Sequence, residues 1–287
     1  MIRRVAHAKI NLALHVTGQR EDGYHLLDSL VVFSEFGDFI EVGEPHHAHG
    51  PLEVSVNGCF GDSLSSGAEN LVTSAALLLL EAVKRSGHTP RPVSVKLTKN
   101  LPIASGIGGG SADAAATLLA LQQYWQSDVD LVPIANGLGA DVPMCLISQT
   151  LRAGGIGEKI SIIDSKTRLN LVLVNPGIEI STPEVFGRLD RKDNEPIAET
   201  DLDRFPSIDA MLSMRNDLQG PAQSLQSSID DVLEAISGLG SLLTRMSGSG
   251  ATCFGIFETI EEAESACRQI MTQYPDWWCV ATRTVAS

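Results

Sequence analysis

Long hydrophobic runs are missing from this chain. The longest apolar stretch with helical character, Ala75 to Leu80, ends at Glu81, far short of the roughly 20 residues a bilayer crossing needs. No membrane-spanning helix is expected. The residues after Arg3 and Arg4 include His7, Lys9, Asn11 and His15, which no secretory h-region would carry, so a cytoplasmic location is the expectation. Cysteine is sparse too: Cys59, Cys145, Cys253, Cys267 and Cys279 are odd in number and form no C-x-x-C pair. Neither a disulfide framework nor a zinc knuckle is indicated. Positive charge is also short, with Lys plus Arg 21 against Asp plus Glu 35 and a net charge of -14, a field that repels nucleic acid and anionic membranes. No G-x-x-x-x-G-K-[ST], H-R-D or D-F-G occurs, which excludes Walker-type NTPases and protein kinases.

What is present is an ordinary globular composition. The 287 residues are 43% hydrophobic and 20% charged, with a mean hydropathy of +0.07; at about 150 residues per domain this suggests two domains. Alternation over Ile10, Leu12, Leu14 and Val16 predicts a half-buried strand with Lys9, Asn11, Ala13 and His15 on its other face. Strands are predicted at Leu30 to Phe33, Phe39 to Val42 and Leu52 to Val56. Ser66 and Glu69 form a capping-box pattern before a helix that runs to about Ser86 and stops at Gly87. A strand at Val93 to Leu97 runs into a glycine-rich loop and a helix, Ala112 to Tyr124. Beyond the polar crossing Asp164 to Arg168 come a strand at Leu169 to Val174, a helix opened by Thr182 and Pro183, helices near Ser207 to Met214 and Ile229 to Ile236, and strands near Ser241 to Met246 and Thr252 to Phe257. Thr259 and Glu262 open the last helix, and Trp277 to Val285 closes the chain as a strand. Mixing without a regular βαβ repeat favours an α+β class. His46, His47 and His49 crowd one loop without carboxylate or thiolate partners at ligand spacing, and no role is assigned to them.

The chemistry begins at PIASGIGGGSADAAA, residues 102 to 116. Gly106, Gly108, Gly109 and Gly110 stand immediately before a helix predicted to start near Ser111. Glycines permit positive φ and expose consecutive amide N–H groups, and a helix N-terminus adds about half a positive charge at the same spot. A di- or triphosphate is the natural ligand, although a tight strand-to-helix turn would need one or two of these glycines on its own account. A dinucleotide fold would want G-x-G-x-x-G after the first strand, and this loop breaks the third glycine and sits deep in the chain.

Three segments together resemble the GHMP kinase superfamily: PIASGIGGGSADAAA as the central phosphate loop, RMSGSGATCF at 245 to 254 as the C-terminal glycine motif, and AKINLALHVTGQREDGYH at 8 to 25. With D-G-Y-H and G-A-D-V-P present, the chain is similar to the branch that acts on a cytidine-diphosphate-linked methylerythritol. Ala104 and Ser105 stand where the family's loop has glycines, and Ile107 where it has Leu. The resemblance implies a two-domain GHMP fold, with an N-terminal ribosomal-protein-S5-like domain over 1–163 and a C-terminal ferredoxin-like domain over 164–287. It also implies an ATP-dependent kinase that phosphorylates a small-molecule hydroxyl, in a bacterial cytoplasm, as a monomer or homodimer. Asp141 becomes the general base and Lys9 the ammonium that assists it; a helix cap is the plain alternative for Asp141, which is expected between a helix and a strand. Asn70, Pro102, Gly106, Gly108, Gly109, Gly110 and Ser111 would hold ATP. Tyr24 and Phe186 would sandwich cytosine, His25 would read its polar edge, and Asn11, Thr182 and Pro183 would line the methylerythritol and diphosphate path. Gly248, Ser249 and Gly250 would form a tight turn facing the site. Mg2+ is expected to accompany ATP, with Ser111 and Asp141 as candidates to touch it, and the sequence names no ligand set. A homoserine- or mevalonate-type kinase and a non-catalytic nucleotide-binding module are the alternatives.

Overall fold

The computed structural model describes residues 1–45, 50–67 and 69–286. The histidine cluster at 46, 47 and 49 lies outside the described residues, as does Ala68 of the expected capping box. The chain divides into two compact units, the first made of Met1–Ala8, Phe36–Ile103 and Gly108–Ser148, the second of Lys9–Glu35, Ala104–Ile107 and Gln149–Ser287. The boundary expected at 163/164 falls inside the second of these. Two long strands, β1 (Ile2–Gln19) and β2 (His25–Gly43), run through both units.

In the first unit, β3 (Leu52–Asn57) pairs in parallel with β4 (Val93–Thr98), and β4 pairs antiparallel with the end of β2, matching Ile40 to Leu97 and Val42 to Val95. The two short strands expected at 30–33 and 39–42 are thus parts of one. Gly37 permits this: a Cβ there would lie 2.1 Å from the carbonyl oxygen of Ala6. Helix α1 (Leu71–Arg85) packs on α2 (Gly109–Trp125), and α3 (Val132–Leu138) and α4 (Val142–Ile147) follow. The alanines of α2, at 112, 114, 115, 116 and 120, are all buried; small side chains let neighbouring elements approach this helix closely. The Ser66–Glu69 capping box does not form. Asn70 caps α1 instead, its Oδ1 accepting from the amide of Val72 at 2.9 Å, because a cap must lie immediately before the first helical residue to reach its open amides. Gly87, with φ +85, ends that helix as expected.

In the second unit, β5 (Leu151–Gly155) pairs with β2 at Leu27 to Val31, and β6 (Lys159–Ile162) pairs with β5. Residues 170–283 then build a four-stranded antiparallel sheet from β7 (Asn170–Asn175), β8 (Leu243–Met246), β9 (Cys253–Phe257) and β10 (Trp278–Arg283), in the order β10-β7-β9-β8. Between β7 and β8 lie α5 (Thr182–Gly187), α6 (Glu199–Leu202), α7 (Ile208–Ser213), α8 (Gln219–Leu225) and α9 (Ser228–Ser237); α10 (Ile260–Gln273) joins β9 to β10. With strands numbered along the chain, this order is 4-1-3-2, the ferredoxin-like arrangement. Val172, Val174, Val185, Ile229, Val232, Ile236, Ala263 and Ile270 meet in its core. The Thr259–Glu262 capping box opens α10 as expected, with both reciprocal hydrogen bonds present. No described helix is long and apolar enough to cross a membrane.

One expectation on β1 is corrected. Lys9, Asn11, Ala13 and His15 are buried like their apolar neighbours, so this part of β1 is covered on both faces rather than half-buried. Polar groups tolerate this only when hydrogen-bonded. His15 illustrates it: its Nδ1 lies 3.0 Å from the Glu195 carbonyl oxygen and its Nε2 accepts from the Arg215 amide at 3.2 Å. Burial, above all, holds its pKa below the ordinary value. Because β9 presses on α9 so closely that a Cβ at Gly255 would lie 2.3 Å from Ile236 Cγ2, the Ile236 pocket cannot readily collapse. Ile236→Ala is expected to lower stability by about 3 kcal/mol with an unchanged slope in urea unfolding.

Candidate active site

In the first unit, Gly108 has φ +63 and stands at the N-cap of α2. The helix starts at Gly109, so Gly109 and Gly110 lie in its first turn and not ahead of it as the sequence suggested; of the four glycines only Gly106 and Gly108 have positive φ. Ala112 N donates to Gly108 O at 2.9 Å and closes that turn, and no acidic residue occupies it. The amides at a helix start have no intrahelical acceptor. A Cβ at exposed Gly110 would meet only Leu71 Cδ1, at 3.4 Å, although a helical Gly costs about 1 kcal/mol relative to Ala. Packing inside the unit does not require glycine at that position, so its bareness faces outward.

The preceding residues belong to the second unit, where Gly106 is needed for packing. A Cβ there would lie 2.5 Å from Ser247 O and 2.7 Å from Gly250 O, and its φ is +75. Ser247 Oγ donates to Gly106 O at 3.1 Å and accepts from the amide of Asn11 at 3.0 Å. Thr252 N donates to Ser105 O, and Lys9 N donates to Ile107 O. Gly248 and Gly250 have φ +56 and +88, and Asn216 Nδ2 donates to the carbonyls of Met246 and Gly248 at 2.8 Å each. Arg245 anchors the same segment. Its buried guanidinium donates to the carbonyls of Leu12, Met211 and Met214, and burial pushes its pKa down to about 10. Sequence reasoning missed Ser247, Asn216 and Arg245. The R-M-S-G-S-G string was in view, but the side chains of Arg245, Ser247 and Ser249 find their hydrogen-bonding partners in distant parts of the chain.

Around this turn stand several expected substrate residues. Asn11 Nδ2 donates to Ser29 Oγ at 2.7 Å. Its buried Oδ1 has no hydrogen-bond partner, and a Cβ at Gly248 would come within 3.4 Å of it. Thr182, at the start of α5, lies 2.7 Å from Ser249, hydroxyl to hydroxyl, and Pro183 follows it in the first turn. The ring brought onto Phe186 is that of His25, at 4.7 Å between centroids and 26° between planes, while Tyr24 is 62% exposed. His25 Nε2 is buried and unpartnered; burial and then the charge of Lys192 hold its pKa below the usual value. Lys9 is 7% exposed in β1. In the first unit, Asp141 occupies the N-cap position of α4 yet makes no capping hydrogen bond with its side chain. It lies between two short helices, not between a helix and a strand, since residues 142–147 remain helical. Pro102 is buried beside the loop. Asn70 is engaged at both ends of its amide, with Oδ1 on the α1 cap and Nδ2 donating to Ser65 O at 2.8 Å.

Beneath the first turn of α2 lies a charged triad that the sequence reading did not anticipate. Lys99 Nζ donates to Asp38 Oδ2 at 2.5 Å and to Asp113 Oδ2 at 2.6 Å, and all three residues are buried. Asp38 Oδ1 also accepts from the amides of Asn100 and Leu101. Asp113 Oδ1 has no partner. Burial, reinforced by the neighbouring Asp38 and opposed by Lys99, pushes the Asp113 pKa up to about 8. Burial also works against the Lys99 ammonium, but the two carboxylates overcome it and its pKa is raised. Among the described residues, no group of three His, Cys, Asp or Glu side chains could hold a metal ion.

Two family models match the chain: GHMP kinases N terminal domain over residues 70–149 and GHMP kinases C terminal over 197–276. The fold and the glycine turns are thus those of a GHMP kinase. Similar curated proteins narrow this. The 4-diphosphocytidyl-2-C-methyl-D-erythritol kinases of Mesorhizobium japonicum and Agrobacterium fabrum are 49% and 47% identical, each over 98% of this chain and 95% of the relative. A crystal structure of 4-(cytidine 5'-diphospho)-2C-methyl-D-erythritol kinase superposes with a TM-score of 0.84 at 31% identity over the whole of both chains. A homoserine kinase from Cytophaga hutchinsonii, at 18% identity and a TM-score of 0.70, shares the fold. The chain belongs to the 4-diphosphocytidyl-2-C-methyl-D-erythritol kinase family, and it is an enzyme that transfers phosphate to a hydroxyl.

The loop contains a local conflict that can be measured. Ala104 has φ +48, a left-handed conformation that costs a residue with a Cβ about 1–2 kcal/mol. Ala104→Gly is expected to raise stability by about 0.5 kcal/mol, after the extra entropy of glycine in the unfolded chain is subtracted. Gly106→Ala, blocked by the Ser247 and Gly250 backbone, is expected to lower it by more than about 2 kcal/mol. Paired urea titrations check both signs.

Proposed function

We propose that the chain transfers the γ-phosphoryl group of ATP to the 2-hydroxyl of 4-diphosphocytidyl-2-C-methyl-D-erythritol, a step of the non-mevalonate route to isoprenoid precursors. The observation that carries the reading is similarity along the full length to relatives named for that substrate, at 47–49% identity. Two buried polar atoms without partners in the chain, Asn11 Oδ1 and His25 Nε2, support a polar substrate, since orphaned buried groups are costly unless a ligand satisfies them. The N-terminal part, 1–163, and the C-terminal part, 164–287, are retained as the two domains, with the family models falling one on either side of that seam.

In this reading Gly106, Gly108, Gly109, Gly110 and Ser111 receive the triphosphate, with Pro102 and Asn70 on the nucleotide side. Asp141 accepts the proton of the attacking hydroxyl as its oxygen bonds to the γ-phosphorus and ADP leaves; Lys9 offsets the charge on the transferring group. Cytosine is received by Tyr24, His25 and Phe186, with His25 leaving its Phe186 stack or sharing that face, and Asn11, Thr182 and Pro183 line the remaining path. Magnesium is assigned to the ATP it arrives with, because the triphosphate's charge needs neutralising in a protein of net charge -14. The enzyme works in a bacterial cytoplasm as a monomer or homodimer.

An ADP-release assay with the cytidyl alcohol, mevalonate and homoserine tests the substrate, and turnover of either small alcohol in preference to the cytidyl compound overturns the proposal. Asp141→Asn is expected to lower turnover at least about 100-fold while leaving the affinity for a non-hydrolysable ATP analogue nearly unchanged.

A further inference from the structure

The Lys99, Asp38 and Asp113 triad has no part in the chemistry above, yet it lies directly behind the glycine turn. A Cβ placed on Gly109 would approach Lys99 Nζ to 3.0 Å, and Asp113 is on the next turn of the same helix. Two carboxylates and one ammonium leave the closed cluster one negative charge in excess. Asp38 is engaged through both oxygens, one on two backbone amides and the other on Lys99. Asp113 accepts from Lys99 through one oxygen and has its second oxygen buried without a partner. An ionised carboxylate in that setting is costly, whereas a neutral carboxyl beside Asp38 can donate to it.

We propose that Asp113 is a positioning residue that carries a proton when nucleotide is bound, and that losing this proton places a negative charge behind the first turn of α2 and weakens the hold on the triphosphate. The proposal rests on the reading that this turn receives the phosphates. The ionisable groups whose charge acts on Asp113 are Lys99 at the end of β4 and Asp38 of β2. Helices α1, α3 and α4, which also pack on α2, bury Val72, Thr73, Ala75, Ala76, Leu79, Leu80 and Val83, then Ala135, then Val142, Met144 and Cys145, so the Cys145 thiol is the one titratable group they bury. The folded state holds the Asp113 proton to a higher pH than the unfolded chain does. Stability is therefore greatest at low pH for this group, falls as pH rises from about 4, and levels off above about 8.

Calorimetric titration of the full chain with the magnesium complex of the non-hydrolysable analogue AMPPNP, at pH 6.5 to 9, tests this in the wild type, in Asp113→Asn and in Gly110→Val. The analogue's own titration is common to all three, so the comparison isolates the protein. Wild-type affinity is expected to fall about five- to tenfold more than that of Asp113→Asn between pH 7 and 9, the two being similar at pH 7. Without nucleotide, the wild-type melting temperature should fall across pH 4 to 8, and the Asn variant should lack that contribution. Identical affinity profiles in the two proteins, or a folded Asn variant that binds no analogue, overturns the proposal; if the Asn variant does not fold, Asp113→Ser serves in its place. Gly110→Val separates the two readings. Loss of its binding together with identical wild-type and Asn profiles removes the proton link alone, whereas wild-type binding by Gly110→Val removes the phosphate-loop reading on which the link rests.

Discussion

The contact between two bare stretches of main chain, Gly106 and the turn from Ser247 to Gly250, is the constraint around which this part of the second unit is organised. It forbids a side chain at Gly106, requires left-handed backbone at Gly248 and Gly250, and brings Ser247 onto both Asn11 N and Gly106 O. Residues separated by 236 and 141 positions in the chain share that one hydroxyl. Asn216 and Arg245 then tie the same turn to α7 and to β1 through backbone carbonyls alone. A segment held through its backbone tolerates little movement, because every displaced carbonyl or amide would have to find a new partner away from water.

Electrostatics follows a different logic in the chain as a whole and in its loop. A protein with a net charge of -14 does not attract ATP by its overall field. In the proposed reading the attraction comes from close, fixed dipoles, such as an α2 start with no acid in its first turn offers. Dipoles of that size are sensitive to a single buried charge nearby, so the state of the Lys99, Asp38 and Asp113 cluster matters more to the loop than the many exposed acids, which water and salt screen.

Local signals were read correctly wherever the physics was local. The Thr259 capping box, the Gly87 stop, the β3 and β4 strands and the helix beginning at Thr182 with Pro183 each depend on neighbours within a few residues. The same kind of reasoning failed at Ser66 and Glu69, where an equally good pattern lost to Asn70, and at Gly109 and Gly110, where glycine was taken for loop although the helix had begun. Propensity ranks alternatives of nearly equal energy, and packing selects among them. Asp141 shows the limit from another side, since the residues flanking it suit a helix or a strand by pattern alone.

Composition and periodicity pointed to a mixed α+β chain, and the resemblance carried by four short motifs pointed to a kinase, because such motifs are dictated by conformations that few residues can adopt. They could not show that β1 is buried on both faces around Lys9 and Asn11, that His25 rather than Tyr24 lies on Phe186, or that Lys99 joins two carboxylates beneath the loop. Each of these is a contact between residues distant in the chain. Its existence depends on which surfaces the packed units bring together, and on the cost of leaving a charge or a polar atom unsatisfied once water has been removed.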